Sequence, residues 1–578
     1  MKMEEKIKRL IIDALAKSHG IKEDELNEVG LELSRNSNNE HGDFSSNIAL
    51  KLGSKLKGPP MTIAEEIVSS LGALVELERA EFVKPGFINF YLFGEKKYSI
   101  LETILNQGSE FGSSCATEKK KVLLEFVSAN PTGPLHVGHG RHAAFGDSLA
   151  RLLRKAGHEV FTEYYLNDAG RQIDILCISV MFEMLRAEGL KLNDIAGLYK
   201  GTYIKEIAQG LIDESFKINK KVLLPEASAS ADELIDALIL EMKDVAGSKL
   251  FQKISDKAVL QMTELLKDDL SDFRVNQDGY YSEKSLFSKG KIEEACEIIK
   301  KNGNAYEKDG ALWLESSKYG DDKDRVVIRE DGRSTYFASD IAYHHDKKMR
   351  GFDLLINVLG SDHHGYVSRL EAGLVSTGNK ASDLDVILMQ FVTLYRGKKK
   401  IQMSTRSGNF VPMRDLYSEV GVDAARFFYV SRSHDQHLDF DLDLATKQNN
   451  NNPVYYIQYA NARIKSVLKE NKKRGYVFDE CLGKTNLMKL DLAIEKEIIS
   501  LLGKYPETIL KSSEARAVNK IANYLKSLAQ LFHSYYGSTK IVSEDEEIRN
   551  ARIILLICVS TIIEDGLDIL GVSSPTKM

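Results

Sequence analysis

The stretch KVLLEFVSANPTGPLHVGHGRHAAFGDSLARLLRKAG, residues 121–157, constrains the fold most, because it reads as a buried strand running through a tight loop into a helix. KVLLEFV lacks polar alternation, as a strand covered on both faces does, and Asn130, Pro131, Thr132 and Gly133 break it. From Gly140 the apolar residues Phe145, Leu149, Leu152, Leu153 and Ala156 return at helical spacing until Gly157 caps the end. His136 and His139 stand at the turn, three residues apart, and share a face if the turn is already helical. Gly138 between them lets a ligand approach the backbone at the positive end of the helix dipole, where imidazoles can donate to a polyphosphate.

Two other readings fit the same residues. Gly138, Gly140 and Ala143 have the spacing of a dinucleotide fingerprint, with Glu163 at a distance suited to a ribose hydroxyl. That fold places its glycines directly after the first strand, whereas about ten residues separate Val127 from Gly138. Alternatively, His136 and His139 are satisfied structural histidines at a helix start.

A chain of 578 residues exceeds one hydrophobic core and calls for several domains. With 43% hydrophobic and 28% charged residues and no apolar run long enough to span a bilayer, it reads as a soluble globular protein. The opening MKMEEKIKRLIIDALAKSHG suits an amphipathic helix rather than a signal peptide, so a cytoplasmic location is expected. Cys115, Cys177, Cys296, Cys481 and Cys558 are too scattered for a disulfide framework or a zinc site, and no protein-bound metal is expected. A net charge of −6 argues against coating nucleic acid by bulk attraction. Residues 445–578 nevertheless carry 19 Lys and Arg against 15 Asp and Glu, a balance of +4 that leaves −10 elsewhere and hints at a polyanion-facing end.

Residues 1–115 suggest a separate α/β module, with a starting helix, the motif HGDFSSNIALKLGSKL and a strand-like run FVKPGFINFYL. From 116 to 443, the runs KVLLEFV, EVFTEYY, DLLINVLG and DVILMQFVTL alternate with helices, which implies a parallel sheet covered on both faces. Charged, mostly helical sequence over about 177–320 reads as an insertion between its halves. Residues 444–578 show only helical periodicity and read as an all-α bundle.

A second loop, QMSTRSGNFV at 402–411, follows Lys398, Lys399 and Lys400. Its Ser404, Thr405, Arg406, Ser407 and Gly408 can close over a polyphosphate and offer donors as charge develops on a leaving group. In RSTYFASDIAYHHDK, Tyr336, Asp340 and Tyr343 fall at steps of four and three, so a helix would turn them one way. A carboxylate between aromatics suits a planar cation. Asp362, His363 and His364 follow the strand DLLINVLG, at the carboxyl end where open α/β sheets bind ligands; nucleotide or substrate contact is favoured there over metal binding.

These motifs together resemble the arginyl-tRNA synthetases of class I, over nearly the whole chain. HVGH at 136–139 looks like the family's HIGH signature and QMSTRSGN at 402–409 is similar to its KMSK loop. LNDAGRQI at 166–173, TYFASDIAYH at 335–344, GSDHHGY at 360–366 and GVDAARFF at 421–428 resemble stretches of the arginine enzymes. GDFSSNIAL and PGFINF resemble their tRNA-elbow module, and NNNNPVYYIQYANARI the opening of their anticodon-binding bundle. The resemblance implies a Rossmann-like parallel-sheet catalytic domain between that module and an all-α bundle.

It also implies activation of L-arginine by ATP with Mg²⁺, transfer to the terminal ribose of tRNA(Arg), a need for bound tRNA already in the first step, and a monomer. His136, Gly138, His139, Asp362, His363, Met403 and Ser404 would contact ATP, with His136, His139, Ser404 and Arg406 acting in catalysis. Glu125, Tyr336 and Asp340 would hold the guanidinium, and Asn130 and His364 the backbone end of the amino acid. Two carboxylates can saturate a guanidinium, a lysine would lose the planar fork, and an isostere without the charge would leave buried carboxylates unpaired.

The loop departs from its relatives: Gln402 and Thr405 stand where lysines are expected, and Gly133 where some relatives compensate. Leaving-group charge then falls to Arg406, Lys398, Lys399 or Lys400. For the tRNA, Phe87 and Asn89 would stack on and hydrogen-bond a splayed elbow base, and Tyr455, Tyr456, Tyr459 and Arg463 supply aromatics at helical spacing plus a cation. Two alternatives stand beside this one, a non-catalytic tRNA-binding paralogue and a class I synthetase for another amino acid. The retained histidines and loop oppose the first, and Glu125 with Asp340 the second.

Overall fold

In a computed structural model of the chain, which describes residues 3–36, 41–72, 74, 77–92, 94–214, 216, 218, 230–401 and 411–578, the strand-loop-helix segment lies at the centre of a five-stranded sheet. The order across that sheet is Leu384–Met389, Leu354–Gly360, Lys121–Glu125, Glu159–Leu166 and Gly279–Ser282, with every neighbouring pair parallel. Alternate residues go to opposite, equally covered faces: Val122, Leu124, Ile356 and Val358 into one core, Leu123 and Leu355 into another with Leu370 and Leu374. This explains why the strands read as unbroken apolar runs. Successive strands depart from Lys121–Glu125 in opposite directions, so a ligand crevice opens at the carboxyl ends beside it.

The helix Val137–Ala156 crosses from the first of these strands to the next and begins three residues earlier than periodicity suggests. Gly146 lets it lie against the strand exit, since a Cβ there would stand 2.2 Å from the Phe126 ring. The run DVILMQFVTL is not one strand. It breaks at Gln390 and Phe391, where the buried Arg141 guanidinium takes the Gln390 carbonyl at 2.6 Å and the Gln390 amide turns to His434 O. Val392–Arg396 then enters a separate three-stranded sheet between Lys399–Lys400 and Leu438–Asp441.

The sequence over about 177–320 is more than a helical insertion. Helices Arg171–Ala187, Thr202–Asp213, Ala231–Ala246 and Ser248–Asp272 share their own core, but Gly279–Ser282 returns as the edge strand of the parallel sheet. An antiparallel sheet of Ala305–Lys308, Ala311–Leu314 and Arg325–Ile328 follows.

At the start of the chain, a four-stranded antiparallel sheet carries helices Met3–His19, Ile48–Leu56 and Pro60–Ser70 over a core of Ile11, Leu15, Phe44, Ile48 and Phe90. FVKPGFINFYL forms a turn of its hairpin, Leu77–Val83 against Phe87–Leu92. Residues 444–578, all of them described, contain helices and no strand. Fully buried Arg426 ties these helices to the parallel-sheet domain: its guanidinium pairs with Asp147 of the central helix and donates to the carbonyls of Phe273, Arg274 and Leu570. An unpaired charge there would cost several kcal/mol.

Candidate active site

The two signature histidines build the start of their own helix. His136 is the N-cap, and its Nδ1 accepts from the amides of Gly138 at 3.1 Å and His139 at 3.3 Å. His139 Nδ1 reaches back to accept from the His136 amide at 3.3 Å, a capping box made of imidazoles, and the rings stack with centroids 3.6 Å apart. With both Nδ1 atoms accepting, the hydrogen-bond pattern assigns the protons to Nε2. Burial holds His136 below its ordinary pKa, and burial followed by the nearby His136 and His142 holds His139 well below. Both rings are therefore neutral donors at neutral pH, at a helix N-terminus.

The residues that follow the second loop, Val411 to Met413, meet this turn. Ser404, Arg406 and Met403 lie outside the described residues, as do Gln402 and Thr405. The chain reaches Ile401 bonded to Leu394 O and resumes at Val411, whose carbonyl accepts from Val137 N at 3.1 Å, while Met413 N donates to Leu135 O at 2.7 Å. Pro412 bridges to His136 itself. Lys399 and Lys400 stand exposed on the hairpin before Ile401. Across the crevice, Asp362, His363 and His364 are exposed on the turn that follows Leu354–Gly360. Asp362 and His363 lie close enough to act electrostatically on His142 of the signature helix.

Beside the histidines lies an acidic floor. Glu125, at the end of its strand, accepts from Ser128 Oγ at 3.0 Å and from Lys347 Nζ at 2.5 Å; Lys347 is wholly buried and also holds Asn357 and the Tyr343 ring. Val127 and Ser128 adopt the left-handed region, φ 71° and 40°, which turns the Ser128 hydroxyl back on Glu125. Asp340 takes the Tyr366 hydroxyl. Burial, with the Glu125 charge adding to it, pushes the Asp340 carboxyl up to about 7. Glu283, 4% exposed, is also pushed up to about 7, by burial first and then by Asp340 and Asp168. With the Asn167 amide turned to face its acceptors, Asn167 donates to Glu283 at 2.7 Å, which joins the LNDAGRQI stretch to this floor.

Glu125 and Asp340 lie close enough to act on each other, and Tyr336 and Asn130 both adjoin the Gly170–Gln172 turn. Tyr336 is 70% exposed at the mouth, its hydroxyl close to Gly170, and Asn130 donates to Gln172 at 2.6 Å. Tyr343 does not flank a ligand beside them. It is buried, donates to Glu163 at 2.7 Å and packs on Tyr165 and Tyr281 as the wall beneath. Glu163 also grips Arg350 through two bonds of 2.6 and 2.8 Å, so no carboxylate remains for a dinucleotide ribose and that reading falls. Sequence reasoning missed Glu283 and Lys347. Lys347 lies seven residues after Asp340, on the same helical face, and Glu283 follows the strand-like GYYS that was absorbed into the insertion.

The residues expected to meet tRNA differ in exposure. Phe87 is partly exposed at the start of its strand, but Asn89 is 2% exposed inside the sheet, so its amide does not reach a splayed base in this conformation. Tyr455 and Tyr459 stack at 5.9 Å and the Arg463 guanidinium lies 4.2 Å over Tyr459, lining a cleft of about 400 Å³ with Asn449, Asn450 and Asn451. Tyr456 instead packs on His533 at 4.4 Å, away from that cleft. Among the described residues no group of three or more His, Cys, Asp or Glu could hold a metal, and no helix is long and apolar enough to cross a membrane.

Three family models match in order: the arginyl tRNA synthetase N terminal domain over residues 5–92, the catalytic domain of class I (R) tRNA synthetases over 100–479, and the DALR anticodon binding domain over 457–578. Arginine–tRNA ligase of Hydrogenovibrio crunogenus is 46% identical over 553 residues, 93% of each chain, and that of Thioalkalivibrio sulfidiphilus 45% identical over 559 residues, 95% of each. The solved Thermus thermophilus arginyl-tRNA synthetase superposes with a TM-score of 0.75, covering all of both chains at 22% identity, a likeness of fold. Histidine turn, acidic crevice and helical tail therefore sit in the frame of one family, and the chain belongs to the class I arginyl-tRNA synthetases.

Proposed function

We propose that this protein joins L-arginine to tRNA(Arg) in two steps, with the guanidinium read by Asp340, Glu283 and Glu125. One observation carries the reading of the substrate: Asp340 and Glu283 are held at about 7 in a crevice where the nearest buried cation, Lys347, already serves Glu125. A planar cation placed between them would ionise both and saturate its own donors, which a lysine or a neutral side chain cannot do. Tyr336 at the mouth would close over the stem, and Asn130 and His364 would hold the amino-acid end.

The arginine carboxylate then attacks the α-phosphorus of ATP, forming arginyl-adenylate as pyrophosphate leaves. A terminal ribose hydroxyl of the tRNA next attacks the acyl carbon and AMP leaves. His136 and His139 contribute neutral Nε2 donors at the helix N-terminus, and Asp362 and His363 lie across from them for the nucleoside. Positioning and charge stabilisation, rather than a protein nucleophile, lower the barrier. The donor set does not form a resident Mg²⁺ site among the described residues, so Mg²⁺ would arrive on the triphosphate oxygens, where it supplies charge neutralisation.

Pyrophosphate exchange with each amino acid, with and without tRNA, tests the reading. Exchange should be supported by arginine alone, and only with tRNA present; exchange without arginine, or none under any condition, would refute it.

A further inference from the structure

The seam between the N-terminal module and the helical bundle holds a cavity of about 390 Å³, lined among others by Arg35, Asp43, Lys97, Tyr98, Lys496 and Ser500. Its walls are fixed to each other: Ser500 Oγ donates to Asn36 O at 2.7 Å and Tyr98 Oη to Leu490 O at 2.8 Å. Ser500 and Tyr98 are thus already committed, and Lys97 pairs with Asp43, while Arg35 and Lys496 have no ion pair among the described residues. Among the described residues Arg35 makes no hydrogen bond or ion pair; it only faces the Phe44 ring at 5.3 Å. The bundle leaves room for it, because a Cβ on Gly503 would lie 1.8 Å from Arg35 Nη1.

Glu4, Asp43 and Glu507 favour the Arg35 charge from a distance, but none pairs with it among the described residues. Asp43 accepts from the Leu92 amide at 2.8 Å and pairs with Lys97 at 3.2 Å, and Glu507 pairs with Lys511 at 2.6 Å. Lys496 and Lys504 have no ion pair among the described residues. Burial holds Arg35 and Lys504 below their ordinary pKa values, and Arg35 adds to the depression at Lys504. A cavity lined by Arg35 and Lys496, neither of which has an ion pair among the described residues, and by the Asp43-bound Lys97 can take an oxyanion, and a guanidinium takes phosphate oxygens in pairs.

We propose that this cavity binds a phosphate group, supplied by the backbone of the bound tRNA, with Arg35 and Lys496 as its principal contacts from the two sides of the seam. This rests on the reading above, in which module and bundle both face the tRNA. A backbone phosphate seated there would clamp the module to the bundle while carrying no sequence information.

The test uses the full chain, tRNA binding measured by filter retention at several salt concentrations without arginine or ATP, and the variants Arg35→Gln and Lys496→Gln. Each variant should raise the tRNA Kd roughly three- to tenfold at about 0.1 M salt, for cognate and unrelated tRNA alike, and make the slope of log K against log salt shallower by about 1. The exchange rate at saturating tRNA should stay at the wild-type level. Lys496 is only partly buried, so Lys496→Gln with a native melting curve and an unchanged Kd and slope would overturn the proposal. Thermal protection by inorganic phosphate that both variants abolish, with tRNA affinity unchanged, would assign the cavity to a free anion and overturn the tRNA assignment. Failure of the wild type to charge any tRNA would count against the function and not the cavity, since the binding measurement stands without it.

Discussion

Arginine binding should release protons. Asp340 and Glu283 stand at about 7 in the free protein, and each must be ionised to accept a guanidinium. At pH 8 almost no free energy is needed for that; at pH 6, one unit below, each costs about 1.4 kcal/mol. The sign follows from the bound form being the deprotonated one, so affinity rises with pH through about 7. Between pH 8 and pH 6 the Kd for arginine should increase about tenfold if one carboxyl is linked, and up to about a hundredfold if both are. Glu125 lies beside them but is held by Lys347 and Ser128, and Tyr366 bonds Asp340; these neighbours are fixed and do not reverse the sign. Isothermal titration in buffers of different ionisation enthalpy reads both Kd and the protons released. Glu283→Gln should remove one proton from the count and flatten the slope, while leaving the Asp340 step near pH 7. A Kd that is flat from pH 6 to 8, or a proton count unaltered by Glu283→Gln, would refute the argument that these carboxyls wait for a cation.

The same two carboxyls act on stability without ligand. Because their folded values exceed the unfolded ones, what they contribute is full below about pH 4 and is lost as pH rises to about 7, so Glu283→Gln should gain melting temperature relative to wild type at pH 8 and not at pH 4. Lys347→Met strands Glu125 in the interior and should cost about 3–5 kcal/mol in urea unfolding, with Glu125→Gln in the same chain recovering most of it but not arginine binding. Gly146→Ala places a methyl 2.2 Å from the Phe126 ring and should cost about 1–3 kcal/mol while raising the KM for ATP and arginine together, because strand exit and helix start move as one. Alanine at Lys398, Lys399, Lys400 and Arg406 in turn, assayed by exchange at saturating ATP, should single out one cation whose loss lowers the rate at least tenfold; four near-normal rates would place the leaving-group charge elsewhere.

The central sheet was legible because Val122 through Leu124 and Leu354 through Leu359 are apolar on both faces, a pattern only a covered parallel sheet explains. The break after Met389 was not, since nothing in DVILMQFVTL announces that a guanidinium 249 residues away in sequence, Arg141, will seize the Gln390 carbonyl. The same limit applies to charge. Asp340 could be picked out by its spacing from Tyr336, but that Tyr343 would be spent on Glu163, and Glu125 matched by Lys347, depends on partners brought in from other elements. Glu283 was hidden by its surroundings in the chain, a four-residue strand inside mostly helical sequence. The burial of Asn89 was hidden for a related reason, since it depends on both faces of Phe87–Leu92 being covered by other elements.

The histidine capping box has a consequence for how such sites are dissected. Because Nδ1 of His136 terminates the helix while Nε2–H points its donor elsewhere, one side chain holds two separable jobs, and an alanine there abolishes both at once. Asparagine can accept from the amides of Gly138 and His139 as a cap yet offers no imidazole donor, so the ratio between His136→Asn and His136→Ala divides architecture from chemistry at a single position. Under the proposed function the signature pair is then as much a folding instruction as a chemical one.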